Sequence, residues 1–499
     1  MCLSRTWVVG LLALIGAGYL GTLRIGHEWG DDFCLYLQHT RNLAEGTSYA
    51  DTGYLYNPQF PSLSPRLYPP LFPVLLLPAY TWFGLSLPVM KVEEVLFFLA
   101  FLSVVYVHFR SELSRGPRLA LLACLGLNPY FWDYKDRVLS EMPFLLFAYL
   151  ALHFIARTYN TERPWRWRWL NTVLAGLCIY LACATRSVGI VLVPCLVLEG
   201  WRRERRLFNP ALLLAMTICA CGVLVQRMLI PVDGSYLDQL VFHPTLFVHN
   251  ALSLVKAMGL FAANGYSDGL HQGLFLVLTA FALAGLGLRL RTALGVHEFF
   301  AVFYGLAIIV WPSSAWNQRF LLPLVPLYAA YVLHGIRAAC SFLPRTVSVP
   351  VGIGLAAALL ASYVGLYTRM EFGTLREGIS KPESVALFNY IRDHTSREDV
   401  FLFQKPRALA LFTDRKASAI QTAASDQELW DYVGQIQATY LIASPLFADS
   451  YRRLQEFVQH YPDRWQQVYA NQDFAVYRIE PPELDTAPLT IKPAEVSSH

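Results

Sequence analysis

The sequence has little charge for its length. Of its 499 residues, 15% are Asp, Glu, Lys or Arg and 55% are hydrophobic, whereas a soluble chain carries about 25% charged residues. This composition excludes an ordinary soluble protein and indicates an integral membrane protein. The formal net charge of +4 is too small, over this length, to indicate a nucleic-acid partner.

Several motifs that would identify other classes of protein are also absent. No CxxC pair with metal-binding spacing occurs among the nine cysteines, so we predict neither a disulfide framework nor a zinc site. The histidines form no HExxH or HxxxH pattern, which argues against a metalloprotease. The absence of GxxxxGK[ST] argues against an ATP-driven pump.

Long apolar segments recur along the first 368 residues. A helix that crosses a bilayer needs about 20 mostly apolar residues. The segment 71–109 fits either two spans, 71–87 and 91–109, or one span that follows a Pro-rich interfacial helix. The start of the chain fits an uncleaved signal anchor or a cleaved signal peptide, and we predict the anchor because a polytopic chain needs an initial span. The candidate spans lie near 7–25, 71–109, 117–132, 141–157, 168–184, 187–201, 207–230, 271–289, 296–312, 319–338 and 347–367.

The distribution of arginine predicts which loops face the cytoplasm. Lysine and arginine are enriched in cytoplasmic loops, and one set of alternate loops collects most of the arginines if 71–109 is a single crossing. We therefore predict about eleven spans with the N-terminus in the cytoplasm. The first loop, 26–70, the loop 231–270 and everything after residue 368 are then predicted to lie outside.

The composition changes after residue 368. Amphipathic helical patterns such as ESVALFNYIRDHT alternate with short apolar strands such as DVFLFQ, which predicts a small α/β domain over 369–480. The Pro- and Thr-rich tail 481–499 has the composition of a disordered segment. The predicted fold class is thus a multi-spanning all-α membrane domain, 1–368, followed by a small extracytoplasmic α/β domain.

Two adjacent carboxylates, Asp31 and Asp32, follow the first apolar segment. Ionisable groups close to lipid are costly unless they line a water-filled cavity or perform a function. Two neighbouring acids can divide the labour, one as a general base and the other orienting it or holding a metal. The alternative is that they begin a solvated loop or cap the following helix.

Basic residues occur at the predicted outer ends of other segments. Arg66 precedes YPPLFP, and Arg319 lies in RFLLP. A guanidinium group at a membrane interface is suited to bidentate binding of phosphate, although snorkelling to the interface explains either arginine equally well.

Four further charged residues are candidates for the same cavity. Glu141 begins a span, so it either caps that helix or points into the cavity. Arg186 lies in a tight turn between two spans, which favours a structural role. Asp133 and Lys135 belong to a short outer loop, NPYFWDYKDRVLSEMPF.

In their order and predicted sidedness, a set of segments resembles the GT-C superfamily of membrane glycosyltransferases, which use polyprenyl-phosphate sugars. Relatives in that superfamily include the protein O-mannosyltransferases and the lipid A aminoarabinose transferase. The similarity extends over most of the chain, including the outer α/β domain. The segments that carry it are GDDFCLYLQHTRNLAEG, YPPLFP, LSEMPF, ATRSVG and QRFLLPLVP.

The resemblance implies roles for particular residues. Asp31 or Asp32 matches the catalytic base at the start of the first outer loop, and the usual order of the pair favours Asp31. Arg319 matches a group that contacts phosphate, and Arg66 is the basic residue nearest the PPL segment, slightly displaced from the position typical of the family. Some relatives hold a divalent cation near the acids, so Mg²⁺ or Mn²⁺ is the cofactor that the resemblance allows.

The implied reaction is an inverting transfer of a sugar from a lipid-phosphate donor to a lipid, glycan or protein acceptor outside the cytoplasm. We expect the protein in the bacterial inner membrane. A secondary transporter or lipid flippase is the alternative, and it would place charges at mid-span. A non-enzymatic assembly or receptor protein would use the outer domain but leave the acidic first loop without a role.

Overall fold

The computed structural model describes residues 2–60, 67–159, 164–230, 244–262, 268–292, 294–311, 318–341, 345–421 and 424–480. Arg66 and the tail 481–499 lie outside these ranges, so their predicted roles stay predictions. The helices before residue 368 are α1 (Cys2–Gly21), α2 (Asp31–Glu45), α3 (Leu71–Phe83), α4 (Leu87–His108), α5 (Arg115–Gly126), α6 (Pro129–Tyr134), α7 (Glu141–Thr158), α8 (Trp165–Thr185), α9 (Leu192–Glu204), α10 (Pro210–Leu229), α11 (Pro244–Gly259), α12 (Asp268–Thr292), α13 (Val296–Val310), α14 (Val325–Cys340) and α15 (Arg345–Tyr367).

Several of these helices are suited to a bilayer. Within the described residues, five are long and apolar enough to span one, and other apolar helices are shorter. Some of the eleven predicted segments include turns, such as the 3-10 turn Ser187–Val191 in front of α9. The chain is an integral membrane protein. The five long helices are Leu87–Ser111, Arg166–Thr185, Pro210–Leu229, Pro244–Ala262 and Asp268–Thr292.

The segment 71–109 forms two helices, α3 and α4, which are separated at Gly84. Phe72, at the start of α3, packs edge to face on Tyr36 of α2 with ring centroids 4.9 Å apart. Lys91, in the first turns of α4, donates to the backbone oxygen of Arg24, between α1 and α2, at 2.7 Å. Both helices therefore begin at the same end of the bundle, which favours one crossing preceded by an interfacial helix.

The segment 231–270, predicted as an outer loop, contains the helix α11, which the sequence interpretation missed. Asn250 of α11 donates to the backbone oxygens of Ile309 and Trp311 at 2.8 and 3.0 Å, at the end of α13. Asn128, between α5 and α6, donates to the backbone oxygen of Phe261 just after α11, at 3.4 Å. These contacts hold the middle of α11 and its C-terminal end against the rest of the fold.

The remaining elements build a six-stranded sheet with the order β1-β3-β2-β4-β6-β5. The first four strands in that order are parallel to one another, and β6 is antiparallel to β4 and β5. The edge strand β1 comes from the first loop, so the sheet crosses the domain boundary predicted at residue 368. The elements are β1 (Tyr54–Leu55), α16 (Pro382–His394), β2 (Val400–Leu402), α17 (Pro406–Thr413), β3 (Lys416–Ser418), α18 (Asp426–Ile436), β4 (Tyr440–Ala443), α19 (Ala448–His460), β5 (Trp465–Ala470) and β6 (Ala475–Ile479).

An aromatic cluster fixes the first loop on the sheet domain. Trp29 packs edge to face against the rings of Phe388, Phe403, Phe447 and Phe474, with centroids 5.7 to 5.9 Å apart. Such pairs add to the stability gained by burying aromatic surface. The start of α2, directly after Trp29, is consequently held against the domain formed by the second half of the chain.

Candidate functional site

The two predicted acids occupy the first turn of α2. Gly30 takes the N-cap position and no side chain caps the helix, so neither Asp31 nor Asp32 is the capping residue that the alternative interpretation required. Backbone N–H groups at a helix N-terminus favour negative charge nearby. The helix therefore stabilises two carboxylates at a position where their side chains contact other parts of the chain.

Asp32 is bound through both of its oxygens. Oδ1 accepts hydrogen bonds from the hydroxyl of Tyr68 at 2.7 Å and from Nη1 of Arg407 at 3.3 Å. Oδ2 accepts one from Nη1 of Arg319 at 2.6 Å. Burial raises the pKa of Asp32, but Arg319 and Arg407 outweigh it and hold the pKa well below its usual range. Asp32 is therefore an ionised anchor for two arginines.

Asp31 is buried but less completely bound. Its Oδ1 accepts a hydrogen bond from the backbone N–H of Ala408 at 3.1 Å. Its Oδ2 has no hydrogen-bond partner in the part of the chain that the structure describes, and Nε of Arg407 lies 3.7 Å away. Burial raises the pKa of Asp31, and Arg407 and Lys405 offset this only in part. An open oxygen on a carboxylate of raised pKa suits a general base.

Arg407 is a site residue that the sequence interpretation missed. It lies in the first turn of α17, just after β2, and is 2% exposed. Its guanidinium lies over the ring of Tyr54, 4.6 Å from the centroid. Ligand sites in open α/β sheets gather at the carboxyl ends of parallel strands. The basic stretch QKPR after the apolar FLF was therefore the available signal.

Three predicted residues extend the site away from α17. Arg186 Nη1 donates to Glu141 Oε1, and Arg319 Nε lies 3.8 Å from the same oxygen. Arg186 also lies 3.4 Å from the hydroxyl of Ser140, which is hydrogen-bonded to Tyr36 at 2.8 Å. Arg319 thus connects Glu141 to Asp32, and the structure brings Asp31, Asp32, Glu141, Arg186 and Arg319 together.

Asp133 and Lys135 lie in a different cluster. Arg24 pairs with Asp133 and with Asp136, both at 2.7 Å, and Lys135 donates to Asp136 at 2.5 Å. Burial outweighs the attraction of Asp136 and lowers the pKa of Lys135 to about 8. Asp133 and Lys135 therefore pair within this cluster. The structure does not bring them to the aspartates of α2.

The residues around Asp31 and Asp32 do not fit the divalent cation that the sequence motifs allow. A hard cation such as Mg²⁺ needs carboxylate oxygens that are open to it. Both oxygens of Asp32 are taken by N–H and O–H donors, and the open oxygens of Asp31 and Glu141 belong to carboxylates that already face the guanidinium groups of Arg407 and Arg186. Among the described residues, no three His, Cys, Asp or Glu side chains converge in a way that could hold a metal ion.

The fold is similar to that of solved membrane transferases. No family model and no curated protein matches the sequence. ArnT from Cupriavidus metallidurans bound to undecaprenyl phosphate aligns over 95% of this chain and 98% of its own, with 13% identity and a TM-score of 0.57. The Archaeoglobus fulgidus oligosaccharyltransferase in complex with Zn and sulfate aligns over 88% of this chain and 68% of its own, with 12% identity and a TM-score of 0.62.

A third neighbour is the arabinofuranosyltransferase AftD from Mycobacteria. It aligns over 95% of this chain and 41% of its own, with 15% identity and a TM-score of 0.50. These identities establish likeness of fold rather than of substrate. The resemblance that the sequence motifs predicted is thereby confirmed, and the chain has the fold of the GT-C superfamily of membrane glycosyltransferases.

Proposed function

We propose that this chain is a membrane glycosyltransferase that moves a sugar from a polyprenyl-phosphate donor to a lipid, glycan or protein acceptor on the extracytoplasmic side. The observation that carries the proposal is the open Oδ2 of Asp31 beside the buried Arg407, with the partly buried Arg319 bound to the adjacent Asp32. A base next to a cationic site is the arrangement that transfer from a phosphate leaving group requires. ArnT, a fold neighbour, is solved with undecaprenyl phosphate, which supports such a donor.

Each step of the reaction is assigned to a residue. Asp31 Oδ2 accepts the proton of an acceptor hydroxyl or amine as the acceptor atom bonds to the anomeric carbon. The bond between that carbon and the phosphate oxygen breaks, and the lipid phosphate leaves with the electron pair. Single displacement inverts the anomeric configuration. Arg319 stabilises the departing phosphate, since its Nε has no hydrogen bond within the described chain while its Nη1 holds Asp32.

The predicted topology is supported by where the ends of helices meet. Lys91 of α4 contacts the start of the first loop, whereas Glu112, just after α4, pairs with Arg289 near the end of α12 at 2.6 Å. Tyr367, at the end of α15, donates to the backbone oxygen of Leu127 at 3.2 Å. These contacts are consistent with alternating directions along the bundle and with a site on the same face as the sheet domain.

An exposed residue on each side allows the topology to be tested. Cys34 is fully buried and unsuitable for labelling. Asp51 is exposed in the first loop, and Arg206 is exposed between α9 and α10. A membrane-impermeant maleimide applied to intact cells is expected to label Asp51→Cys and not Arg206→Cys, each made in a background without the exposed Cys221. The opposite pattern would place the site in the cytoplasm and end the proposal.

The transporter alternative has less support. Such a protein would be expected to carry charges along a path through the middle of its spans. Here the aspartates of α2 and their arginine partners lie beside the sheet domain, while Arg289 and Glu298 pair at 2.6 Å where α12 and α13 meet. The two groups of charges thus lie at helix ends.

The decisive experiment measures transfer by the purified protein. The donor is the lipid-linked sugar that copurifies with the protein, identified by mass spectrometry and then radiolabelled. We expect Asp31→Asn to reduce transfer by about 1,000-fold, the range of general-base catalysis, with folding intact. Asp51→Asn, an exposed acid in the same loop, is the matched control. Undiminished transfer by the double variant Asp31→Asn, Asp32→Asn would remove the proposed base.

A further inference from the structure

Arg407 is buried between the two acids of α2. Its Nη1 lies 3.3 Å from Asp32 Oδ1, and its Nε lies 3.7 Å from Asp31 Oδ2. The same Nη1 lies 3.3 Å from the hydroxyl of Tyr68. A buried guanidinium is tolerated only when opposite charges and hydrogen bonds compensate for the loss of water. Arg407 therefore bridges the two carboxylates as a single positive charge.

The sheet domain delivers this charge. Pro406 begins α17 with a backbone suited to the first turn of a helix, and α17 packs directly against α2. Ala408, the residue after Arg407, donates its backbone N–H to Oδ1 of Asp31. The rings of Tyr54 and Tyr68 flank the guanidinium at 4.6 and 5.6 Å. Two parts of the chain far apart in sequence are thus joined at the aspartates.

A divalent cation beside two acids would perform the same electrostatic task, but it would compete with groups already present. Asp32 gives one oxygen to Tyr68 and Arg407 and the other to Arg319. A metal ion would have to displace these donors and would lie next to two guanidinium charges. At a few ångströms, repulsion between like charges in a buried site amounts to several kcal/mol.

We propose that Arg407, supplied by the sheet domain, takes the place of a divalent cation beside Asp31 and Asp32, so that the site works without a metal ion. This inference rests on the proposed transfer reaction. Arg407 is a positioning residue: it acts on the reaction through the two carboxylates that it holds. Its loss also removes the contact that ties α17 to Asp32.

The first test measures sugar transfer in the presence of excess EDTA. Wild-type transfer is expected to be unchanged by EDTA and not increased by MnCl₂. Arg407→Gln is expected to lose about 100-fold, as misplaced catalytic groups do, and Arg407→Lys to recover part of that loss. Arg478→Ala, at an exposed arginine of β6, is the control and retains full transfer. Loss of wild-type transfer in EDTA with restoration by MnCl₂, or full transfer by Arg407→Gln, would overturn the inference.

Two further measurements, a pH–rate profile and thermal unfolding with MnCl₂, distinguish a positioning role of Arg407 from a loss of folding and from failure of the proposed transfer reaction. Arg407 lowers the pKa of Asp31, so the acidic limb of the pH–rate profile is expected to move to higher pH in Arg407→Gln and back towards wild type in Arg407→Lys. The thermal unfolding temperature of the full-length wild type is measured with MnCl₂ and no donor. No shift is expected; a rise that disappears in Asp32→Asn would overturn the inference, even if no sugar transfer were ever observed.

Discussion

Two clusters of buried charges flank the first loop, and they differ in how completely their polar atoms are paired. Asp136 accepts from the backbone N–H and Nε of Arg24 at 2.9 and 2.7 Å and from Lys135 at 2.5 Å. By contrast, Asp31, Glu141, Arg319 and Arg407 each keep at least one buried polar atom without a hydrogen bond inside the described ranges.

The difference supports the proposal that the cluster around Asp136 is structural and that the cluster around Asp32 is the site of transfer. Buried polar groups in native proteins are almost always paired, so each unpaired group needs a specific explanation. In the cluster around Asp136, both oxygens of Asp133 and of Asp136 accept hydrogen bonds, and the buried polar atom left unpaired within the described residues is Nε of the partly exposed Arg137. In the cluster around Asp32, the unpaired atoms belong to one continuous set of acids and arginines, which is what a site that binds a phosphate and a nucleophile would leave open.

The structural role of the cluster around Asp136 is tested most directly by substitution of Arg24. Arg24→Ala leaves Asp136 and Asp133 without their shared partner, and removal of one member of a buried ion pair costs about 3 to 5 kcal/mol. We expect the free energy of unfolding in detergent to fall by that amount while transfer per folded molecule is retained. Arg137→Ala, at a partly exposed member of the same cluster, should cost less than about 1 kcal/mol. Equal losses for both variants would mean that burial does not determine the role of this cluster.

Arg319→Ala is expected to reduce sugar transfer strongly and the free energy of unfolding only slightly, the reverse of Arg24→Ala. Removing one donor to a developing negative charge costs about 100-fold in kcat, or about 2.7 kcal/mol. Stability should fall by less than in Arg24→Ala, because the side chain of Arg319 is 25% exposed and that of Arg24 only 7%, so the Arg319 pair is better screened by solvent. The measurement is kcat with the copurified donor alongside the free energy of unfolding. A variant that is unstable but fully active when folded would assign Arg319 to the structural class.

The pH dependence of transfer sharpens the distinction between the two acids. Because burial raises the pKa of Asp31 above the ordinary value of about 3.9, transfer should fall as the pH falls through that raised pKa, tenfold for each further pH unit. The residual transfer of Asp31→Asn should be flat over the same range. A limb that persists in Asp31→Asn would show that another group is the base.

Parts of this arrangement were readable from the sequence. Asp31, Asp32, Glu141, Arg186 and Arg319 stand at the ends of apolar segments, where charge is costly unless it has a purpose, and the structure brings them together. Asp133 and Lys135 stand in similar positions, but Asp133 pairs with Arg24, and Lys135 pairs with Asp136, the next residue in the chain. Position at a helix end does not reveal whether a charge is already paired.

Other parts needed three dimensions. Arg407 reaches Asp32 across 375 residues of chain, and its position depends on β2, on the start of α17 and on how the sheet packs against α2. The strand β1 joins that sheet through pairing with β3. Its two residues are too few to show the alternation of apolar and polar side chains that identifies a strand in a sequence. The helix α11 was missed because the whole segment 231–270 was interpreted as an outer loop.

The smallest expected effect concerns stability, and it has opposite signs for the two acids. The raised pKa of Asp31 means that its ionised form is penalised in the folded protein, a penalty that appears as the pH rises from about 3.9 through the raised pKa. The lowered pKa of Asp32 instead stabilises the fold above about 3.9, and that contribution is lost as the pH falls towards the lowered pKa. Asp31→Asn should therefore stabilise the protein at neutral pH by about 0.5 to 2 kcal/mol, as substitutions at strained active sites do.

Thermal unfolding across pH provides the measurement. The gain in Asp31→Asn should disappear below the ordinary pKa of an aspartate, since wild-type Asp31 is then protonated as well. Asp32→Asn, the adjacent control, should be destabilising at neutral pH because Arg319 and Arg407 lose their anchor. If Asp31→Asn were instead destabilising at neutral pH, Asp31 would be a structural member of the ion network, comparable to Asp136, and its open oxygen would no longer indicate a base.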